Sequence, residues 1–155
     1  MADGTVVELM FGQGTVQVEV DPDVEVVVVE KPPMQLLPDP TAAVQNAIEA
    51  PQVQAAGGVM VPPLREYALG KRTACILICD ITRPVPNGLI LPVLVRALLD
   101  AGISASEITV LVATGLHRPN EGEELSELIG DEWVEQTVSW TNSKVLTAHL
   151  TMLNA

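Results

Sequence analysis

Ile76-Leu-Ile-Cys-Asp-Ile-Thr-Arg-Pro-Val-Pro-Asn87 is the stretch whose reading decides the fold. An apolar run carries the chain to Asp80, and two prolines and an asparagine stop it. Ala74 to Cys79 therefore reads as a strand that ends in a loop. That loop holds an acid, a hydroxyl and a guanidinium (Asp80, Thr82, Arg83) within four residues. Buried parallel strands present their chemistry at their carboxyl ends, so this loop is the first place to look for a site.

Downstream, Gly88 to Ala101 predicts a helix. Ile90, Val93, Leu94, Ala97, Leu98 and Ala101 recur at 3/4 spacing, the mark of a face laid on a sheet. Proline is tolerated only in the first turns of a helix, so Pro92 sets the expected start nearer Ile90 than Asn87. Gly102 closes the helix, and Glu107 to Ala113 is the next strand. Strand, helix and strand in this order form a βαβ unit, a right-handed crossover between parallel strands. The expected fold class is α/β, with a Rossmann-like parallel sheet built on that crossover.

This topology carries a consequence for function. If the two strands are adjacent, the loops Asp80 to Arg83 and Thr114 to Arg118 leave the same edge of the sheet. One crevice would hold Asp80, Thr82, Arg83, Thr114 and His117. Gly115 permits a positive φ or the close approach of a ligand. An arginine can hold a carboxylate bidentately while an imidazole removes or returns a proton. The plainer reading makes Asp80 a turn cap or a simple ion-pair partner of Arg83; the convergence of acid, cation and imidazole favours a site. Neither loop is a GxGxxG or a P-loop, so the pattern does not indicate a dinucleotide or a nucleoside triphosphate.

Upstream, Val6 to Met10 and Val16 to Val20 flank Phe11-Gly-Gln-Gly14, the pattern of a β-hairpin. Val24 to Glu30, with four consecutive valines, predicts a third strand. Asp39 is a candidate N-cap for a helix running to Ala50, with Pro40 in its first turn. Leu64 to Leu69 reads as a short helix ended by Gly70. Beyond the second strand, Asn120 and Glu123 suit a capping box for a helix from Glu121 to Ile129. Thr137 to Trp140 reads as a further strand, and the pattern dissolves after it. Arg65, Tyr67, Trp133, Trp140 and His149 lack chemical company and read as packing or surface residues.

The chain has 155 residues, enough for one domain with a sizeable core. Its 48% hydrophobic content against 3% aromatic implies a core of aliphatic side chains. Twenty acidic and eight basic residues give a net charge of −12, which argues against nucleic acid and anionic membranes as partners. No basic and apolar leader opens the sequence, and no apolar run reaches the ~18 residues of a membrane span. Cys75 and Cys79 would lie roughly 13 Å apart along one strand at ~3.3 Å per residue, beyond disulfide reach. They read as buried thiols of a cytoplasmic protein, with no further ligands nearby for a metal.

The residues also carry a family resemblance. Asp80-Ile-Thr-Arg-Pro-Val-Pro86, Leu94 to Gly102, Ala113-Thr-Gly-Leu-His-Arg-Pro119 and Glu124 to Gly130 resemble the N-terminal domain of the nickel-dependent lactate racemase family. Phe11-Gly-Gln-Gly14 fits an aromatic-glycine turn near that family's start. The resemblance implies a racemase or epimerase of small 2-hydroxy acids that uses a nickel-pincer nucleotide, with the site between two domains. The metal would take hydride from the substrate's Cα while a histidine takes the hydroxyl proton. Carried over, His117 is one of two such acid–base histidines, and Asp80 and Arg83 line the substrate and cofactor pocket. The likeness runs from residue 5 to about 138, so residues 1–138 are expected to form the family-like α/β domain and 139–155 a divergent tail. Where relatives show His-Asp, this chain reads Val138-Ser-Trp-Thr141. Lys144 and His149 lack the glycine-rich surroundings of the family's cofactor lysine and metal ligand. No metal ligand is therefore assigned, the second domain is expected to be missing, and the isolated chain is expected not to racemise. The rival reading is a non-catalytic module that holds a small carboxylate or a nucleotide phosphate.

Overall fold

The computed structural model describes residues 5–12, 14–52 and 60–142. The chain divides into two units, residues 1–36 and 37–155.

The first unit is built on the predicted hairpin. β1 (Thr5–Phe11) pairs antiparallel with β2 (Gly14–Val20), and Phe11 faces Gly14 across a two-residue turn. Such a turn needs a positive φ at its first central position, and Gly12 supplies it at +59°. The third strand expected at Val24 to Glu30 does not form. These residues belong to no strand, with Val27, Val28 and Val29 all exposed. Four valines favour a strand only where another strand edge completes the ladder, and none does so among the described residues.

The second unit is α/β. α1 (Pro40–Glu49) starts as predicted, with the Asp39 carboxylate accepting from the Ala42 amide at 2.9 Å and Pro40 in the first turn. After α2 (Leu64–Ala68), β3 (Ala74–Cys79) leads through α3 (Asn87–Asp100) to β4 (Ile108–Ala113). α4 (Glu123–Ile129) and α5 (Glu132–Thr137) then lead to β5 (Ser139–Asn142). The strands form a parallel sheet in the order β3-β4-β5, with β4 central. Ile108, Val110 and Val112 of β4 are completely buried and pack with Leu91, Val95 and Leu98 of α3 and with Ile129 and Val134. No helix among the described residues is long and apolar enough to cross a membrane.

Five further expectations need correction. The α3 helix starts at Asn87 and carries Pro92 inside it. Its first turn is fixed from outside, because the buried Asn87 side chain donates to the Leu128 carbonyl at 2.9 Å. Its deepest stripe is Asn87, Leu91, Val95 and Leu98, whereas Ile90, Val93, Leu94, Ala97 and Ala101 are only half-buried. The α4 helix begins two residues later than expected, after Gly122 at φ +57°, and Asn120 reaches Glu124 instead of capping the helix. The thiols are not buried: Cys75 and Cys79 are exposed. β3 pairs with β4 alone, and its residues alternate, with Ala74, Ile76 and Ile78 turned to the core and Cys75, Leu77 and Cys79 turned away. The last strand lies at Ser139–Asn142, and α5 precedes it where no helix was expected. His149 and Lys144 lie outside the described residues.

Candidate active site

The register of the sheet assembles the site. Cys79 of β3 pairs with Ala113 of β4, so Asp80 and Thr114 leave the sheet side by side. Each loop then turns at once. The Arg83 amide donates to the Asp80 carbonyl at 3.1 Å, and the His117 amide to the Thr114 carbonyl at 2.9 Å. Gly115 sits first of the two central residues of the second turn, with φ +57°. This conformation suits glycine, and it swings His117 back over the end of β3.

The result is a crevice of about 350 Å³ lined by Cys79, Asp80, Arg83, Ala113, Thr114, Gly115, Leu116 and His117. Five of the six residues singled out from sequence line it. The sixth, Thr82, braces Asp80 from behind: one carboxylate oxygen accepts from the Thr82 hydroxyl at 2.6 Å and from its amide at 3.2 Å. This is an aspartate folded onto its own backbone two residues on. The other oxygen bonds to Nδ1 of His117. Asp80 is 4% exposed, while the His117 side chain is half exposed at the rim.

Asp80 pairs with the imidazole, and the alternative pairing with Arg83 does not form. Arg83 has no ion-pair partner among the described residues, so its guanidinium is available to an incoming anion. The Thr82 hydroxyl, then the His117 ring, hold the Asp80 carboxyl below its ordinary range. Thr114 is buried beside this pair.

A second charged cluster lies next to the first. Arg118 holds Glu124 through two contacts of 2.5 and 2.6 Å, and Asn120 donates to the same carboxylate at 2.9 Å. The Arg118 guanidinium and then the Asn120 amide lower the Glu124 carboxyl. Sequence reasoning did not single out this cluster. The six-residue separation of Arg118 and Glu124 follows no helix or strand period, so nothing in the sequence marked it. It fixes the far side of the loop that carries His117.

The sequence profile of the lactate racemase N-terminal domain matches residues 11–151. The chain belongs to the lactate racemase N-terminal domain family. A lactate racemase from Lactiplantibacillus plantarum is 45% identical over 71 residues, which cover 46% of this chain and 16% of that protein. A lactate racemase from Thermoanaerobacterium thermosaccharolyticum is 36% identical over 72 residues, covering 46% of this chain and 17% of that protein. The matched segment thus spans about a sixth of each curated lactate racemase.

The sequence resemblance leads to the expectation of a metal-bearing nucleotide, against which the described residues can be set. Arg83 and the Thr114-Gly115 turn suit a phosphate or carboxylate. No group of three His, Cys, Asp or Glu residues among those described could hold a metal ion. The crevice therefore fits an anionic end and a proton to be moved.

Proposed function

We propose that this chain is the N-terminal part of a racemase or epimerase of small 2-hydroxy acids, with its substrate in the crevice at the ends of β3 and β4. The observation that carries this reading is the meeting, in one cavity, of a guanidinium with no ion-pair partner among the described residues and a carboxylate-backed imidazole. A 2-hydroxy acid has a carboxylate that needs a cation and a hydroxyl proton that needs a base. Arg83 takes the carboxylate through its planar fork. Through its free nitrogen, His117 removes the hydroxyl proton and can return it. The turn at Gly115 keeps the backbone low enough for a ligand to reach both. The cofactor of this reading is the nickel-pincer nucleotide. The exposed, unpaired thiols of β3 suit a reducing cytoplasm.

Both mirror images of the substrate must find a base within reach, and the described residues offer the crevice one imidazole. On this reading the chain alone does not interconvert the enantiomers of lactate. Chiral chromatography after incubation with either enantiomer and the cofactor should show no exchange, and sustained turnover would overturn the division of labour. Calorimetry supplies the positive arm: lactate binds the chain, and Arg83→Ala abolishes the heat. Binding that ignores Arg83 would remove the proposed carboxylate clamp.

A further inference from the structure

We propose that Asp80 is a positioning residue that acts through His117: it fixes the imidazole with its proton on Nδ1 and leaves Nε2 as the base facing the crevice. This rests on the reading of the crevice as a proton-transfer site, and it assigns Asp80 a task other than contact with a ligand. Three donors already occupy its carboxylate: the Thr82 hydroxyl, the Thr82 amide and Nδ1 of His117. The residue is also only 4% exposed, so little of the carboxylate is left for a substrate or cofactor to touch. The geometry points back toward the ring.

An ionised carboxylate only accepts hydrogen bonds, so the nitrogen it meets must carry hydrogen. Nδ1 is thereby protonated, and Nε2, which has no partner among the described residues, keeps its lone pair. When Nε2 takes a proton from a hydroxyl, the positive charge that develops on the ring lies against the negative charge of Asp80. Thr82 fixes which carboxylate oxygen faces the ring by holding the other one. The remaining charged groups at this edge do not compete for the imidazole. Arg83 lines the crevice without an ion pair to Asp80 among the described residues, and Arg118 and Glu124 are paired with each other.

Asp80→Asn should reverse the arrangement. The two donors of Thr82 claim the single amide oxygen, so the new NH2 group faces Nδ1. Nδ1 must then accept, which moves the ring proton to Nε2 and blocks the base. Two-bond nitrogen–proton correlation NMR on the full chain with labelled imidazoles reads the tautomer directly, and His117→Gln assigns the signal. The expected result is an Nδ1–H ring at His117 in the wild type, and an Nε2–H ring in Asp80→Asn. An Nε2–H ring in the wild type would overturn the proposal, as would a tautomer unchanged in a folded Asp80→Asn chain. If Asp80→Asn does not fold, the wild-type tautomer still decides. Adding lactate separates the two levels. An Nδ1–H ring whose Nε2 signal ignores lactate would sink the substrate reading and leave the Asp80–His117 pair standing.

Discussion

At the scale of single residues, Asp80 joins the fold to the site, and acid should expose its contribution. Its carboxyl is held below the ordinary value of 3.8 in the folded chain. A group whose folded value is depressed stabilises the fold above its unfolded value, and the contribution is lost as pH falls through the folded one. Urea midpoints measured from neutral pH downward should lose the Asp80 contribution only below about 3.8. In Asp80→Asn the fall below that pH should be shallower; an identical slope would mean that the carboxylate contributes nothing. Glu124 should give a parallel effect below 4.5, removed by Glu124→Gln. A second residue-scale constraint lies where two glycines cross. A Cβ added to Gly88 would stand 2.4 Å from the Gly130 carbonyl oxygen, and Gly130 itself sits at φ +66° as the C-cap of α4. Neither backbone can withdraw without moving its helix. Gly88→Ala should therefore cost on the order of 1–3 kcal/mol by denaturant unfolding. An unchanged midpoint would show that α3 and α4 slide apart freely.

At the scale of elements, α3 is the pivot, since it bridges β3 to β4 and lays Leu91, Val95 and Leu98 on the sheet. Truncating a side chain as buried as Leu91 leaves a cavity, so Leu91→Ala should lose about 2–5 kcal/mol of stability. A loss well under 1 kcal/mol would mean that the helix is not pinned where it lies. The sequence made β3, β4 and α3 legible because each combines an apolar pattern of the right period with a stop signal: Pro84 and Pro86, Gly102, Gly115. Errors arose where a contact far along the chain overrode the local rule. Pro92 argued for a late start to α3, but Asn87 is held by Leu128, 41 residues away. The valines after Asp23 had strand propensity and no partner. The cysteines of β3 were read as buried because the run is apolar on both faces, yet the described helices cover only one of them. α5 was missed although Asp131 caps it by accepting from Val134 at 2.9 Å, a signal that an aspartate just after Gly130 offered. Of the site, five lining residues were legible from parallel topology alone. The partner of Asp80 was not, since sequence adjacency favoured Arg83 and only the turn at Gly115 brings His117 to it.

At the scale of the whole molecule, the two units differ in what sustains them. The hairpin has two strands whose residues are almost all exposed, and such a ribbon is marginal by itself in water. The α/β unit holds the buried aliphatic core. Amide hydrogen exchange should therefore be fast across residues 5–20 and slowest in β4, and equal protection of the two would contradict this division. A net charge of −12 also bears on the site. A chain this acidic repels small anions in general, so an acid that binds must find a local cation, and Arg83 is the cation of the crevice. This makes one measurement decisive for the central claim that the ends of β3 and β4 hold a 2-hydroxy acid between a guanidinium and an imidazole. Lactate titrated into nitrogen-15-labelled chain should move the amides of Gly115 and His117 together in a saturable way, and Arg83→Ala should erase the response. Amides that stay still at saturating lactate, or that move equally in Arg83→Ala, would contradict it.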